Sequence, residues 1–268
     1  MKAIKINLTI AFFLFFLSYS KIFAQANDCT QLINEFLKSD VPLAGEQKRK
    51  TISCIFQIQN QGFLYDEQEC KYDSALLKIE TALGAWEHLG DTLSQANLLK
   101  YLGYLNGRLG NMALGKQQIA RAISLYKAKA ADYGVAVSLF DLAKVYTFEN
   151  KLDSAILYSN QAKAYWVTQD DPSRLLVLNN HLIYLASLSD SNNNIEALIE
   201  ENQLLLKNPD IYWQNELDFY FTTKLYFQKT KNPGLATEYS KMYEEKSGIP
   251  DDRISTMRYS LYDRKNCD

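Results

Sequence analysis

The 268-residue sequence predicts an all-α solenoid, built from helix pairs that recur about every 40 residues. Three observations carry this reading. The run Lys71–Leu77 returns as Lys151–Leu157 at an offset of 80. Small residues at Ala75, Gly115 and Ala155 mark the half-interval of 40. The prolines, Pro42, Pro172, Pro209, Pro233 and Pro250, all fall at expected helix starts or in turns, where a missing N–H costs nothing.

The chain opens on a segment that stands outside the repeats. Lys2 and Lys5 form a positive start, Leu8–Tyr19 is almost unbroken apolar sequence, and Ala24-Gln25-Ala26 supplies small residues at signal-peptidase spacing. The apolar run is too short to span a bilayer comfortably. Residues 1–26 therefore read as a secretory signal, cut after Ala24 or Ala26, with a retained anchor as the alternative. This predicts a periplasmic or secreted protein with no stable membrane insertion after cleavage. Ala26-Asn27-Asp28 ahead of Cys29 does not make a lipoprotein box. Without Lys2, Lys5 and Lys21 the chain has 26 basic residues against 31 acidic ones. That mildly acidic balance gives no electrostatic case for nucleic acid.

Residues 27–268 read as one domain. The apolar periodicity predicts helices over 28–39, 45–61, 72–89, 92–109, 112–129, 133–149, 152–168, 172–188, 194–207, 210–229, 233–246 and 251–263. The ten inner helices form five pairs, 45–89, 92–129, 133–168, 172–207 and 210–246. The first helix and the one at 251–263 are candidate caps.

Several positions keep the 40-residue register. Ala82, Ala122 and Ala162 keep it, as do Trp86, Tyr126 and Trp166. Leu99, Leu102 and Leu105 match Leu139, Leu142 and Val145, and Gly103 matches Ala143. A Gly or Ala lets two antiparallel helices approach, and the leucine stripe packs on neighbouring helices. Ala197 and Ala236 extend the small-residue series at 42 and 39, the longer step falling where Ser191–Asn194 lengthens a turn. Asp73, Asn111 and Asp153 stand where N-caps are wanted. The three aromatic positions suggest a packing ladder between second helices.

Ala96–Tyr126 resembles a tetratricopeptide repeat. Leu102-Gly103, Gly115, Ile119 and Ala122 fall where that family places Leu-Gly, Ala, a large residue and Ala. Ala136–Ala162 repeats the pattern with Leu142-Ala143, Tyr146, Ala155 and Ala162. The period of 40 resembles the variant with both helices lengthened, and Phe63, Ile183 and Thr223 replace the small residue in the outer copies. The resemblance implies a right-handed α-α superhelix of about five helix pairs plus caps. It also implies that first helices line an inner groove, with Lys100, Tyr104 and Arg108, then Phe140, Lys144 and Phe148, then Asn180 and Tyr184, then Tyr220, Lys224 and Gln228 pointing into it. Tyr104 replaces the Asn of the family's chaperone-tail clamp, so that particular ligand is not expected.

Four cysteines remain after export: Cys29, Cys54, Cys70 and Cys267. An even count in an oxidising compartment suggests bridges. Cys29 begins the first helix and Cys70 follows the second at the same end of that hairpin, so Cys29–Cys70 is the expected pair, with Cys54–Cys70 next. No two cysteines have metal-ligand spacing, and His88 and His181 are the only histidines.

Nothing in the sequence forms a reaction-competent cluster. There is no Gly-x-Ser-x-Gly, no phosphate-binding glycine loop and no His-Glu-x-x-His, and no cofactor site is expected. His88 ends a helix, where a dipole contact explains it. Asp170-Asp171 and Asp251-Asp252 precede helices, where capping explains them. The groove stripe mixes cations, an amide and rings, a set that holds an extended peptide; the bland alternative is a solvated face with core aromatics. The expected function is a non-enzymatic scaffold for a protein or peptide partner. The alternatives are an extracytoplasmic sensory or regulatory component and, further off, a glycan-binding component or an enzyme.

Overall fold

The computed structural model describes residues 28–39, 41–67, 71–189 and 194–248. The expected signal segment 1–26, Cys70, Cys267 and the expected cap 251–263 lie outside these residues. The described residues form helices and no strand: α1 (28–36), α2 (Gly45–Glu67), α3 (Tyr72–Leu89), α4 (Thr92–Arg108), α5 (Met112–Ala128), α6 (Asp132–Phe148), α7 (Leu152–Gln169), α8 (Pro172–Leu188), α9 (Ile195–Leu205), α10 (Trp213–Lys229) and α11 (Pro233–Ser247). The fold class is all-α, with sequential helices packed on their neighbours.

The chain divides into two compact units, Met1–Leu98 and Leu99–Asp268. Contacts in a helical repeat array are made between neighbours, so it can divide without a linker or composition break to mark the place.

In the first unit, α2 packs on α3 around Ile55, Ile58, Ala75, Ile79 and Ala82. Helix α2 runs past its expected end at 61 because Gly62 is a contact residue rather than a stop. A Cβ there would stand 2.6 Å from Ile79 Cδ1. The close approach has thus moved one residue from the expected Phe63. Trp86 is buried and donates its indole N–H to Gln59 Oε1 at 3.3 Å, with Phe56 edge-on at 5.2 Å. His88 Nε2 lies 2.9 Å from the Ser39 carbonyl and its ring is edge-on to Phe36, tying the end of α3 to the α1–α2 connection.

The disulfide of this unit joins Cys29 to Cys54, with Cα atoms 5.0 Å apart. This corrects the expected Cys29–Cys70 pair. The first turn of α1 meets the middle of α2, on the buried side it shares with Ile55 and Ile58, so the face decides the pairing rather than the end of the hairpin.

In the second unit, α4 and α5 meet at glycines. A Cβ on Gly103 would stand 2.6 Å from the Gly115 carbonyl oxygen, and one on Gly115 would stand 2.6 Å from that of Gly103. Further along, α5 and α6 close over Gly134, where a Cβ would lie 2.3 Å from the Tyr126 ring. Trp166 packs on Ala136, Phe140, Leu175 and Leu178 of α6 and α8. The aromatic positions are core residues seated on first helices, which replaces the expected ladder between second helices. The core continues through Leu176, Ile183, Ile199, Phe219 and Tyr239.

Two local readings change. The expected stretch to 42 residues does not occur. Ala197 is exposed, and the buried positions of α9 are Ile195, Ile199 and Asn202, each 40 residues after Ala155, Ser159 and Ala162. The N-caps of α3 and α7 are Lys71 and Lys151, so Asp73 and Asp153 sit inside the first turn and complement the helix dipole instead. Asn111 does cap α5 by position, but its amide donates to Asn106 Oδ1 at 3.2 Å. Asp171 caps α8 by accepting the Arg174 N–H at 3.0 Å, as its position suggests.

The turns are more regular than the sequence. Gly90, Gly110, Ala130, Asn150 and Asp170 all have positive φ, at intervals of 20 residues. Each ends a helix with a left-handed residue, freeing the next helix to return antiparallel.

Candidate functional site

The first-helix stripe of the second unit assembles around a residue outside the expected set, Asp141. Lys144, one turn on, stands 3.1 Å from Asp141 Oδ1, and Lys100 of α4 stands 3.5 Å from Oδ2. Two aromatic faces receive the Lys144 ammonium: the Phe140 centroid lies 4.4 Å away and the Tyr104 centroid 5.1 Å. Phe148 tilts against Tyr104 at 6.0 Å. Burial alone would push the Asp141 carboxyl up, but Lys144 and then Lys100 outweigh it and hold it below the usual carboxylate range. The cluster therefore carries two cations and one fixed anion, with the lysine side chains between 13% and 16% exposed. A lysine between two rings is ordered by cation–π attraction before any ligand arrives.

Asp141 has a sequence signal in retrospect. It is the lone carboxylate of an apolar stretch, Val137–Tyr146, with a lysine three residues later.

The other expected groove residues divide. Arg108 is buried. Phe140 is buried too, and its ring meets that of His181 edge-on at 5.3 Å. Asn180 is buried, accepting from Asn202 Nδ2 at 2.9 Å and donating to the Asn215 carbonyl at 3.0 Å. With Asn179 donating to Asn202 Oδ1 at 2.9 Å, it forms an amide knot joining α8, α9 and α10. Tyr184 is half-buried. Tyr220 donates its hydroxyl to Glu216 at 2.6 Å, and burial first, then that carboxylate, pushes the phenol well up. Lys224 is half-buried and belongs to a separate cleft on α10 and α11. The structure thus brings Lys100, Tyr104, Phe140, Lys144 and Phe148 together and turns Arg108 and Asn180 into packing.

His181 forms the other polar cluster. Its Nδ1 lies 2.9 Å from Ser159 Oγ and its Nε2 lies 3.0 Å from Thr147 Oγ1. Thr147 donates its one hydroxyl proton to the Ala143 carbonyl at 3.0 Å. Thr147 must therefore accept from His181 Nε2–H, which leaves Nδ1 to accept from Ser159. Burial, helped by nearby Lys144, pulls the imidazole down to about 3, so it is neutral at physiological pH. Ser159 and His181 have the atoms of a nucleophile and its base, but both are 0% exposed and no substrate reaches them. They bind α6, α7 and α8 together. Among the described residues, no helix is long and apolar enough to cross a membrane.

No family model matches the chain, and no curated protein matches it. Among solved structures, the chain is similar to BtubC (BKLC) from P. vanneervenii, with a TM-score of 0.65 at 15% identity, over 88% of this chain and 92% of that one. At that identity the likeness shows a shared helical fold and nothing of function.

Proposed function

We propose that the protein is an exported, non-enzymatic scaffold of the tetratricopeptide type, which binds a protein or peptide partner along its first-helix face. The observation that carries this is the Lys144 ammonium, held between the Phe140 and Tyr104 rings and anchored to the same carboxylate as Lys100. Such a group presents donors for backbone carbonyls beside ring surface for apolar side chains, and little side-chain freedom remains to be lost on binding. Export rests on the signal-like segment 1–26, and the repeat type on the Leu102-Gly103, Gly115, Ile119 and Ala122 pattern.

The test compares capture from envelope extract by residues 27–268 and by a groove variant. That variant combines Lys100→Ala, Tyr104→Ala and Lys144→Ala with Asp141→Asn, because removing both cations alone would leave a buried carboxylate bare. A partner captured by the wild type and lost from the folded variant supports the reading. Equal capture by both moves the site elsewhere.

A further inference from the structure

The last two described helices carry a second cleft of about 670 Å³, whose walls include Lys224 of α10, Lys231 in the turn, and Thr237, Ser240, Lys241 and Glu244 of α11. Three lysines thus face one carboxylate. Lys231 and Lys241 are exposed and, among the described residues, stand in no ion pair, and Lys231 is held in the turn with φ 57°.

Ser240 adds an independent sign. It is 7% exposed, yet its hydroxyl has no hydrogen-bond partner among the described residues. A helical hydroxyl ordinarily returns its proton to the carbonyl four residues back, as Thr222 and Thr237 do here at 2.9 and 2.8 Å. Ser240 is instead a buried donor left open on the cleft wall. The smaller cleft between α7, α8 and α9 offers no such group, because Lys163 and Glu201 on its rim satisfy one another at 2.8 Å.

The dimensions suit a short piece of extended chain. From Lys224 to the end of α10 at Lys229 is roughly 8 Å, Lys231 lies beyond it in the turn, and an extended peptide advances about 3.3 Å per residue. We propose that this cleft binds an acidic peptide segment of about three residues, whose carboxylates meet Lys231 and Lys241 and whose backbone carbonyl accepts from Ser240. The site is separate from the first-helix cluster and needs neither Lys100 nor Lys144.

The test is fluorescence anisotropy with residues 27–268 and a fluorescein-labelled Gly-Glu-Leu-Glu-Gly peptide, against the same peptide with Gln in place of Glu. Saturable binding of the acidic peptide is expected, at least tenfold weaker in Lys231→Glu/Lys241→Glu and a few-fold weaker in Ser240→Ala. Both lysines are exposed, so the double variant keeps its fold, which circular dichroism checks. Unchanged affinity in the double variant, or equal binding of the Gln peptide, overturns the proposal. If the groove variant loses the peptide while the double variant keeps it, this site falls and the first-helix reading stands.

Discussion

His181 Nδ1 lies 2.9 Å from Ser159 Oγ, in the interior of three packed helices. A nucleophile–base pair needs a base that titrates near working pH and a path for substrate. Here burial removes both, and the imidazole becomes a hydrogen-bonded brace. In heteronuclear NMR the ring is expected as the neutral Nε2–H tautomer at pH 5, where an ordinary histidine is cationic. An imidazolium signal at that pH would refute the assignment. A depressed folded-state pKa means that the unfolded chain takes up the proton first. Stability from this group is full above about pH 6.5 and is lost as pH falls toward 3. Ser159→Ala leaves a buried acceptor unpaired and is expected to cost ~1–3 kcal/mol by urea unfolding.

Asp218 of α10 works in the opposite direction. It is buried, and burial pushes its carboxyl up to about 7. The folded state holds the proton more tightly than the unfolded chain, so the benefit is complete below about pH 4 and is lost as pH rises through 7. Asp218→Asn keeps the shape without the charge. The variant is expected to match the wild type at pH 4 and to exceed it at pH 8 by up to ~4 kcal/mol, taking about 1.4 kcal/mol per pKa unit. Urea midpoints at pH 4, 6 and 8 measure this. A difference that does not grow with pH would show that Asp218 is paired.

The helices were legible because their apolar stripes and small residues are chemical repeats. Helices α3 and α8 begin and end at the residues the pattern indicates, Tyr72–Leu89 and Pro172–Leu188. What the pattern hides is conformation. Gly90, Gly110, Ala130, Asn150 and Asp170 share a left-handed φ but no side-chain chemistry, so the 20-residue turn interval leaves no compositional trace. Matching residue type alone also misplaced the fourth copy at Ala197, where Ile195 and Ile199 fill the buried positions. At the candidate site, spacing identified Lys100, Tyr104 and Lys144, which share a face. It missed Asp141, which sits one residue off the stripe: its i,i+3 contact with Lys144 lies within α6, but its second cation, Lys100, is brought to it only by the packing of α4 on α6.

The Cys29–Cys54 bridge closes a loop of 25 residues between α1 and α2. Loop-closure entropy alone assigns such a bridge ~3 kcal/mol. Non-reduced peptide mapping is expected to recover Cys29 and Cys54 in one linked fragment. Cys29→Ser/Cys54→Ser should lower the thermal midpoint without changing helix content at 20 °C. A linked Cys29–Cys70 fragment would reverse the assignment and place the first turn of α1 against a different part of the hairpin.

Ala130 offers a stabilising test of the turn interval. It is exposed and holds φ 51° where Gly90 and Gly110, two and one intervals earlier in the chain, hold φ 72° and 97°. A side chain with a Cβ pays roughly 1 kcal/mol to enter this region, whereas glycine enters freely. Against that, glycine widens the unfolded ensemble by a few tenths of a kcal/mol or more. The strain is the larger effect at a position with fixed positive φ, so Ala130→Gly is expected to gain ~0.5–1 kcal/mol. Gly110→Ala, at the equivalent turn, should lose a similar amount. Paired urea titrations of the two variants decide the matter: if both substitutions shift stability in the same direction, the left-handed caps are not what these positions share.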